Sequence, residues 1–206
     1  MEKLLIFPFN GNGLEAVDCI AEQYDLIGFI DDTPEKQGKT RYGFEVFGRI
    51  VLEKYKEAKV LAVSGSPHTY KNRSNIIAGL NLPLEKFATV IHPKASVSSI
   101  AQIGKNVLLM AGAVVTSNAI IGNHVCVLPN SVIHHDTTIG DYTLIGSNVM
   151  IAGNVVVGEN CYISSGSNII NGIEIGELTL VGLGSNVIRN ISAHAVVAGN
   201  PAKNIY

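Results

Sequence analysis

The chain has 206 residues, 47% hydrophobic and 16% charged, with a formal net charge of −2 and a pI near 6.3. That balance lacks the basic footprint of a nucleic-acid-binding domain, so no nucleic acid partner is expected. The mean hydropathy of +0.27 is high for a soluble protein, yet no apolar run approaches the roughly 18 residues of a membrane span, and none is expected.

The opening MEKLLIFPFNGNG carries a short apolar run without a small-residue cleavage site, and reads as a first strand rather than a secretion signal. Apolar spacing over residues 1–90 predicts strands at 4–7, 26–30, 60–63 and 87–91, with helices at 14–23, 50–58 and 67–80. This is the pattern of a small Rossmann-like α/β module with a parallel sheet. Ligands of such sheets bind beyond the carboxyl ends of the strands, which here means Asn10 to Gly13, Asp31 with Asp32, and Ser64 to Ser66.

The first of these loops, Gly11-Asn12-Gly13-Leu14-Glu15-Ala16, fits the G-x-G-x-x-A form of a dinucleotide fingerprint, with Asp31 following as a ribose-binding acid would. The module has room for only half of a doubly wound domain. A mononucleotide or nucleotide sugar therefore suits it better, its phosphate resting on the N–H groups that open a helix. Alternatively, Gly11 and Gly13 only permit a tight turn.

Residues 91–206 obey a different rule. Positions 91, 97, 103 and every sixth one through 187 are Ile, Val or Leu, seventeen in all, without an insertion. Four residues after each stands a small or β-branched residue such as Ala95, Ala113, Ser131, Thr137 or Val149. A period of six is the signature of a parallel β-helix. Glycine recurs every eighteen residues at Gly104, Gly122, Gly140, Gly158 and Gly176, so three hexads make one coil. Columns such as Asn118, Asp136, Asn154, Gly172 and Asn190 hold residues that tolerate positive φ, and mark the corners of a triangular prism.

Cys19, Cys126 and Cys161 show neither disulfide nor metal-ligand spacing, which suits a cytoplasmic setting, and Cys161 falls on an inward small-residue position. One column breaks pattern. It reads Ser99, Ser117, His135, Gly153, Asn171 and Arg189, and a solvent-facing corner needs no imidazole for structure. A neutral imidazole is the side chain best matched to accept a proton near neutral pH. Asp136 is placed to orient the ring, or simply to fill a left-handed turn. Gly153, one coil on, offers an N–H to a developing oxyanion, or is a turn glycine. His134 reads as a strand neighbour without a third ligand in reach, so no metal is expected.

With these residues in place, the chain resembles the hexapeptide acyltransferases. It is closest to the NeuD and PglD-like sugar acetyltransferases, the group of the bacillosamine and perosamine N-acetyltransferases. The likeness covers nearly the whole chain. It is carried by the N-terminal module, the hexads, Ser131-Val132-Ile133-His134-His135-Asp136, Ala152-Gly153-Asn154-Val155 and the closing Gly199-Asn200-Pro201-Ala202-Lys203.

The resemblance implies a left-handed parallel β-helix assembled as a homotrimer, with acetyl-CoA as co-substrate in the groove between neighbouring prisms. It implies His135 as base, Asp136 as its carboxylate partner and Gly153 as oxyanion donor. It places coenzyme contacts at Leu144, Ser165, Leu183 and Lys203, and nucleotide-sugar contacts at Asn10, Gly11, Asn12, Asp31, Asp32 and Gly65. Asn12 and Leu144 stand where close relatives often carry His. The expected reaction is N-acetylation of a nucleotide-linked amino sugar, of 4-amino-4,6-dideoxy type, for surface polysaccharide or glycan synthesis. Two alternatives are O-acetylation of a sialic-acid-like sugar and a non-catalytic β-helix scaffold.

Overall fold

The computed structural model describes residues 1–20 and 22–205. The N-terminal module is built from β1 (Glu2–Phe7), α1 (Gly11–Ile20), β2 (Tyr24–Ile30), β3 (Gly38–Lys39), β4 (Glu45–Phe47), α2 (Val51–Lys54), β5 (Lys59–Ala62) and α3 (Arg73–Ala78). Its sheet runs β3-β4-β2-β1-β5. The β4, β2, β1 and β5 strands are parallel, and β3 is an antiparallel edge.

The sequence pattern anticipated three of these strands and all three helices, and missed β3 and β4. The predicted helix at 50–58 is a single turn, Val51–Lys54. The helix at 67–80 is cut to Arg73–Ala78 behind a 3₁₀ turn at Tyr70–Asn72. Strand 87–91 contracts to Val90–Ile91, which pairs with Leu108–Leu109 and so belongs to the hexad domain.

The hexads build three parallel sheets, whose neighbouring strands pair residues eighteen apart, as Val114 with Val132 and Ile133 with Ile151. Together with the hexad register they fit a left-handed β-helix. The inward aliphatics from Leu109 to Val187 form one continuous buried column. Small inward residues are buried too, and their hydroxyls staple coil to coil: Ser131 Oγ donates to the Gly146 carbonyl at 2.6 Å and accepts the Val149 N–H at 3.0 Å. In such hydroxyls the hydrogen bonds made inside the prism offset the cost of desolvation. Cys161 is fully buried in this interior, as packing requires.

The corners explain the Asn and Gly columns. Asn118, Asp136 and Asn154 have φ of 56°, 57° and 58°, in the left-handed region that Asn, Asp and Gly enter at least cost. The third corner works differently. Its left-handed positions are His124, Tyr142, Asn160 and Leu178, while the glycine column two residues earlier avoids a collision. A Cβ on Gly140 would stand 2.6 Å from the Gly158 carbonyl carbon in the next coil.

One prism face carries large outward apolar residues, and the module sits on it. Leu108, Cys126 and Leu144 share a buried cluster with Leu4, Ile6, Phe29 and Leu61 of the module. Asn106 imitates a further strand, accepting the Ala62 N–H at 2.7 Å and donating to the Ala62 carbonyl at 2.9 Å. Arg73, wholly buried, donates through Nε to the Ser64 carbonyl and through Nη1 to the His124 carbonyl, tying module to prism. Burial pulls its guanidinium down to about 10.

Candidate active site

His135, Asp136 and Gly153 meet at one corner, between the strand Val132–Ile133 and the strand Thr138–Ile139. The left-handed turn at Asp136 swings successive side chains toward each other, which a flat strand forbids. His135 Nδ1 and Asp136 Oδ2 lie 2.7 Å apart. The other carboxylate oxygen accepts Asn118 Nδ2–H from the preceding coil at 3.2 Å. The hydrogen bonds from His135 and then Asn118 hold the Asp136 carboxyl below the usual carboxylate range. An ionised carboxylate only accepts, so the hydrogen bond is donated by Nδ1–H, and in the neutral ring this leaves the lone pair on Nε2. The imidazole is half exposed, with 55% of its side-chain surface open.

Gly153 is the seat of this ring. A Cβ there would stand 2.6 Å from both Cε1 and Nε2 of His135. Its φ lies outside the left-handed region, so the turn itself does not demand glycine. The segment is pinned on both sides: the Asn154 N–H donates to the His135 carbonyl at 3.0 Å, and Thr137 Oγ1 donates to the Ala152 carbonyl at 2.9 Å. The Gly153 N–H has no partner among the hydrogen bonds of the described residues. Thr137 and Asn118 escape a reading of the sequence, since a Thr at an inward position and an Asn at a corner are what the prism needs anyway.

The coenzyme set lies elsewhere. Ser165 and Leu183 occupy the opposite corner of the same sheet, and Leu183 is 77% exposed. Ser165 Oγ accepts the Ser147 N–H at 3.0 Å. Lys203 is exposed on the closing hairpin of Val196–Gly199 and Ala202–Asn204. Leu144 is buried on the module-facing sheet, and a Cβ on Gly65 would stand 2.5 Å from its Cδ1. The outward column Leu108, Cys126, Leu144, Tyr162 and Leu180 is apolar to receive the module, and that is why Leu stands there.

Asn10, Asp31, Asp32 and Gly65 line one open cleft of about 750 Å³ at the carboxyl edge of the module sheet. Gly11 and Asn12 begin α1 beside it but do not line it. Asn10 Oδ1 accepts the Gly13 N–H at 2.8 Å and caps that helix. Gly13 is required by close packing, because a Cβ would stand 2.6 Å from the Pro8 carbonyl oxygen, whereas Gly11 has open space beside it. Asp31 is buried. Burial alone would raise its carboxyl, but hydrogen bonds from Lys36 and Thr33 and the Lys36 charge outweigh it and leave it below the usual range. Asp32 is held by Arg49 Nε at 2.5 Å. Lys36 and Arg49 line the cleft as well, and no spacing in the sequence announces them. So does Ser64, whose buried hydroxyl has no partner among the described residues.

Among the described residues no group of three or more His, Cys, Asp or Glu side chains could hold a metal ion, and no helix is long and apolar enough to cross a membrane.

Residues 100–135 and 136–171 match the family model of the bacterial transferase hexapeptide, six repeats. No curated protein sequence matches the chain. Among solved structures, the chain is similar to the acetyltransferase domain of PglB from Neisseria gonorrhoeae in complex with acetyl coenzyme A. The two are 28% identical over 99% of each chain, with a TM-score of 0.86. It shares the fold of PerB from Caulobacter crescentus, solved with CoA and GDP-perosamine, at 23% identity over 100% of this chain and 98% of that one, TM-score 0.86. It likewise shares the fold of WeeI from Acinetobacter baumannii, at 23% identity over the full length of both chains, TM-score 0.88.

Proposed function

We propose that this chain, with its bacterial transferase hexapeptide repeats and its likeness to the PglB acetyltransferase domain, is a hexapeptide-repeat sugar N-acetyltransferase. It transfers the acetyl group of acetyl-CoA to the amine of a nucleotide-linked amino sugar of 4-amino-4,6-dideoxy type. The observation that carries this reading is the His135–Asp136 pair seated on Gly153, a base with its proton fixed on Nδ1 and its lone pair at Nε2.

His135 Nε2 accepts the proton of the sugar amine as its nitrogen attacks the thioester carbonyl, and returns it to the departing sulfur. The carbon–nitrogen bond forms as the carbonyl opens to an oxyanion, and the carbon–sulfur bond breaks as the carbonyl re-forms, in one ternary complex without an acyl-enzyme. The unpartnered Gly153 N–H is available to the oxyanion. The module cleft takes the nucleotide, with Lys36 and Arg49 near its phosphates and Asp31 and Asp32 on the nucleoside side.

The module is a Rossmann-like half domain that gives way near residue 90 to the hexads, which form a left-handed β-helix. The separation of the Ser165 and Leu183 corner from the His135 corner supports a homotrimer, in which one protomer's coenzyme corner faces its partner's base. The setting is cytoplasmic, where acetyl-CoA and nucleotide sugars are at hand.

Incubation with acetyl-CoA and a panel of UDP-, dTDP- and GDP-linked 4-amino sugars, read by mass, tests the reading. An added acetyl group that survives mild alkali is an amide and supports it. An alkali-labile product makes the enzyme an O-acetyltransferase, and failure to bind acetyl-CoA by calorimetry leaves only a scaffold.

A further inference from the structure

We propose that Asn118 is a positioning residue for the transfer reaction: from the preceding coil it holds the Asp136 carboxylate with one oxygen turned to His135. The inference rests on His135 being the base.

Asn118 Nδ2 donates to Asp136 Oδ1 at 3.2 Å, while Asp136 Oδ2 faces His135 Nδ1 at 2.7 Å. The carboxylate is thus divided between the two. Its last torsion joins an sp³ to an sp² carbon and is broad, so a half-exposed carboxylate has no orientation of its own. The amide supplies one. Asn118 is also fixed, because its φ of 56° sets its side chain at the corner, and the residue beneath it in the column, Ile100, offers no competing polar group.

Corner stacking by itself does not produce this arrangement. At the neighbouring corner Asn123 and Asp141 are also one coil apart. There both carboxylate oxygens bond to Asn123, Oδ1 accepting its N–H at 2.6 Å and Oδ2 its Nδ2–H at 3.3 Å, and no ring shares them. Only at Asp136 is one oxygen given to the asparagine below and the other to an imidazole. The other titratable groups flanking this prism edge are His134, Glu174 and Arg189. The coils immediately before and after contribute Ser117, Asn118, Gly153 and Asn154, none of which titrates.

The test compares wild type with Asn118→Gly and Asn118→Asp, both of which tolerate the left-handed turn. In Asn118→Gly, kcat falls about three- to tenfold with KM and Tm little changed, the cost of one lost solvent-exposed hydrogen bond of ordinary net strength. The Asp136 carboxyl, followed by ¹³C NMR, titrates at higher pH than in wild type, because a bond that favours its charged form is gone. In Asn118→Asp, a second carboxylate faces Asp136 Oδ1, and the added negative charge moves the acid limb of kcat/KM to higher pH. Wild-type kcat in Asn118→Gly overturns the proposal, and so does an unmoved Asp136 titration. A wild-type protein that acetylates no sugar fails the functional reading alone, since the carboxyl titration still decides whether Asn118 holds Asp136.

Discussion

Adding one methyl group at Gly153 separates the two roles assigned to that residue. Alanine keeps the backbone N–H, so an oxyanion donor survives the change. The Cβ, however, would stand 2.6 Å from Cε1 and Nε2 of His135, about 1 Å inside ordinary carbon contact. A ring displaced by about 1 Å carries its 2.7 Å bond to Asp136 past the reach of a hydrogen bond. The imidazole then loses both its proton placement and its aim. General-base catalysis contributes about 10²- to 10⁴-fold, and we expect Gly153→Ala to lower kcat by about 10²-fold, with KM little changed. Stability should hold or rise slightly, because Gly153 has no left-handed φ and alanine reduces unfolded-chain entropy by about 0.4–1 kcal/mol. Steady-state kinetics and a thermal melt on the same preparation measure both. Wild-type kcat in Gly153→Ala would refute the seat.

His135→Ala removes the base and should lower kcat far more than it changes KM, while Asp136→Asn, which leaves the ring in place with a weaker partner, should cost less; steady-state kinetics rank the three proteins. His124, buried in the junction of module and prism, is pushed down to about 4 by burial first and then by the Arg73 charge, against a weaker upward pull from Asp141. Its Nδ1 lies 2.9 Å from Asn106 Nδ2, which donates to it. The unfolded chain takes up this proton near pH 6.5, so the contribution is whole above that pH and is lost as pH falls toward about 4, by at most about 3 kcal/mol. The Tm of wild type should fall across that window relative to His124→Asn, and parallel melting curves would count against it. Thr137→Val strips the Ala152 carbonyl and the Val155 N–H of their shared hydroxyl. Two buried groups left unpaired should cost about 1–3 kcal/mol, read as the denaturation midpoint in urea.

The prism was legible because each hexad states the same instruction, and seventeen repetitions of an aliphatic leave no competing period. The module was less so. β3 and β4 are strands of two and three residues at a sheet edge, too short to show alternation, and α2 is one turn whose helical spacing ran on past its end. At the site, His135 stood out as a departure from its column, whereas Asp136 also fits the left-handed turn its column requires. Gly153 was visible but its purpose was not, since the clash that makes glycine necessary comes from a ring eighteen positions earlier. Leu144 came from the resemblance, and a hexad does not say which of three faces is covered. The outward column Leu108, Cys126, Leu144, Tyr162 and Leu180 is more uniformly apolar than Ser96, Val114, Val132, Met150, Asn168 and Asn186 on the next face, and that contrast marks the module's seat. Lys36, Arg49 and Arg73 left no trace in spacing, because their partners arrive through tertiary contact.

Strand partners eighteen apart in each of the three prism sheets also dictate how such a molecule can change size. Growth comes in whole quanta, each lengthening the prism by about 4.8 Å, and any fractional insertion must bulge outward as a loop or throw every later residue onto the wrong side. An extra coil grafted after Gly176 would leave the His135 corner intact, though it would part Ser165 from Leu183. The same graft between His135 and Gly153 would pull imidazole and glycine a full storey apart. The stretch from Asn118 to Gly153 is thus one where nothing can be spliced in without undoing the reacting corner.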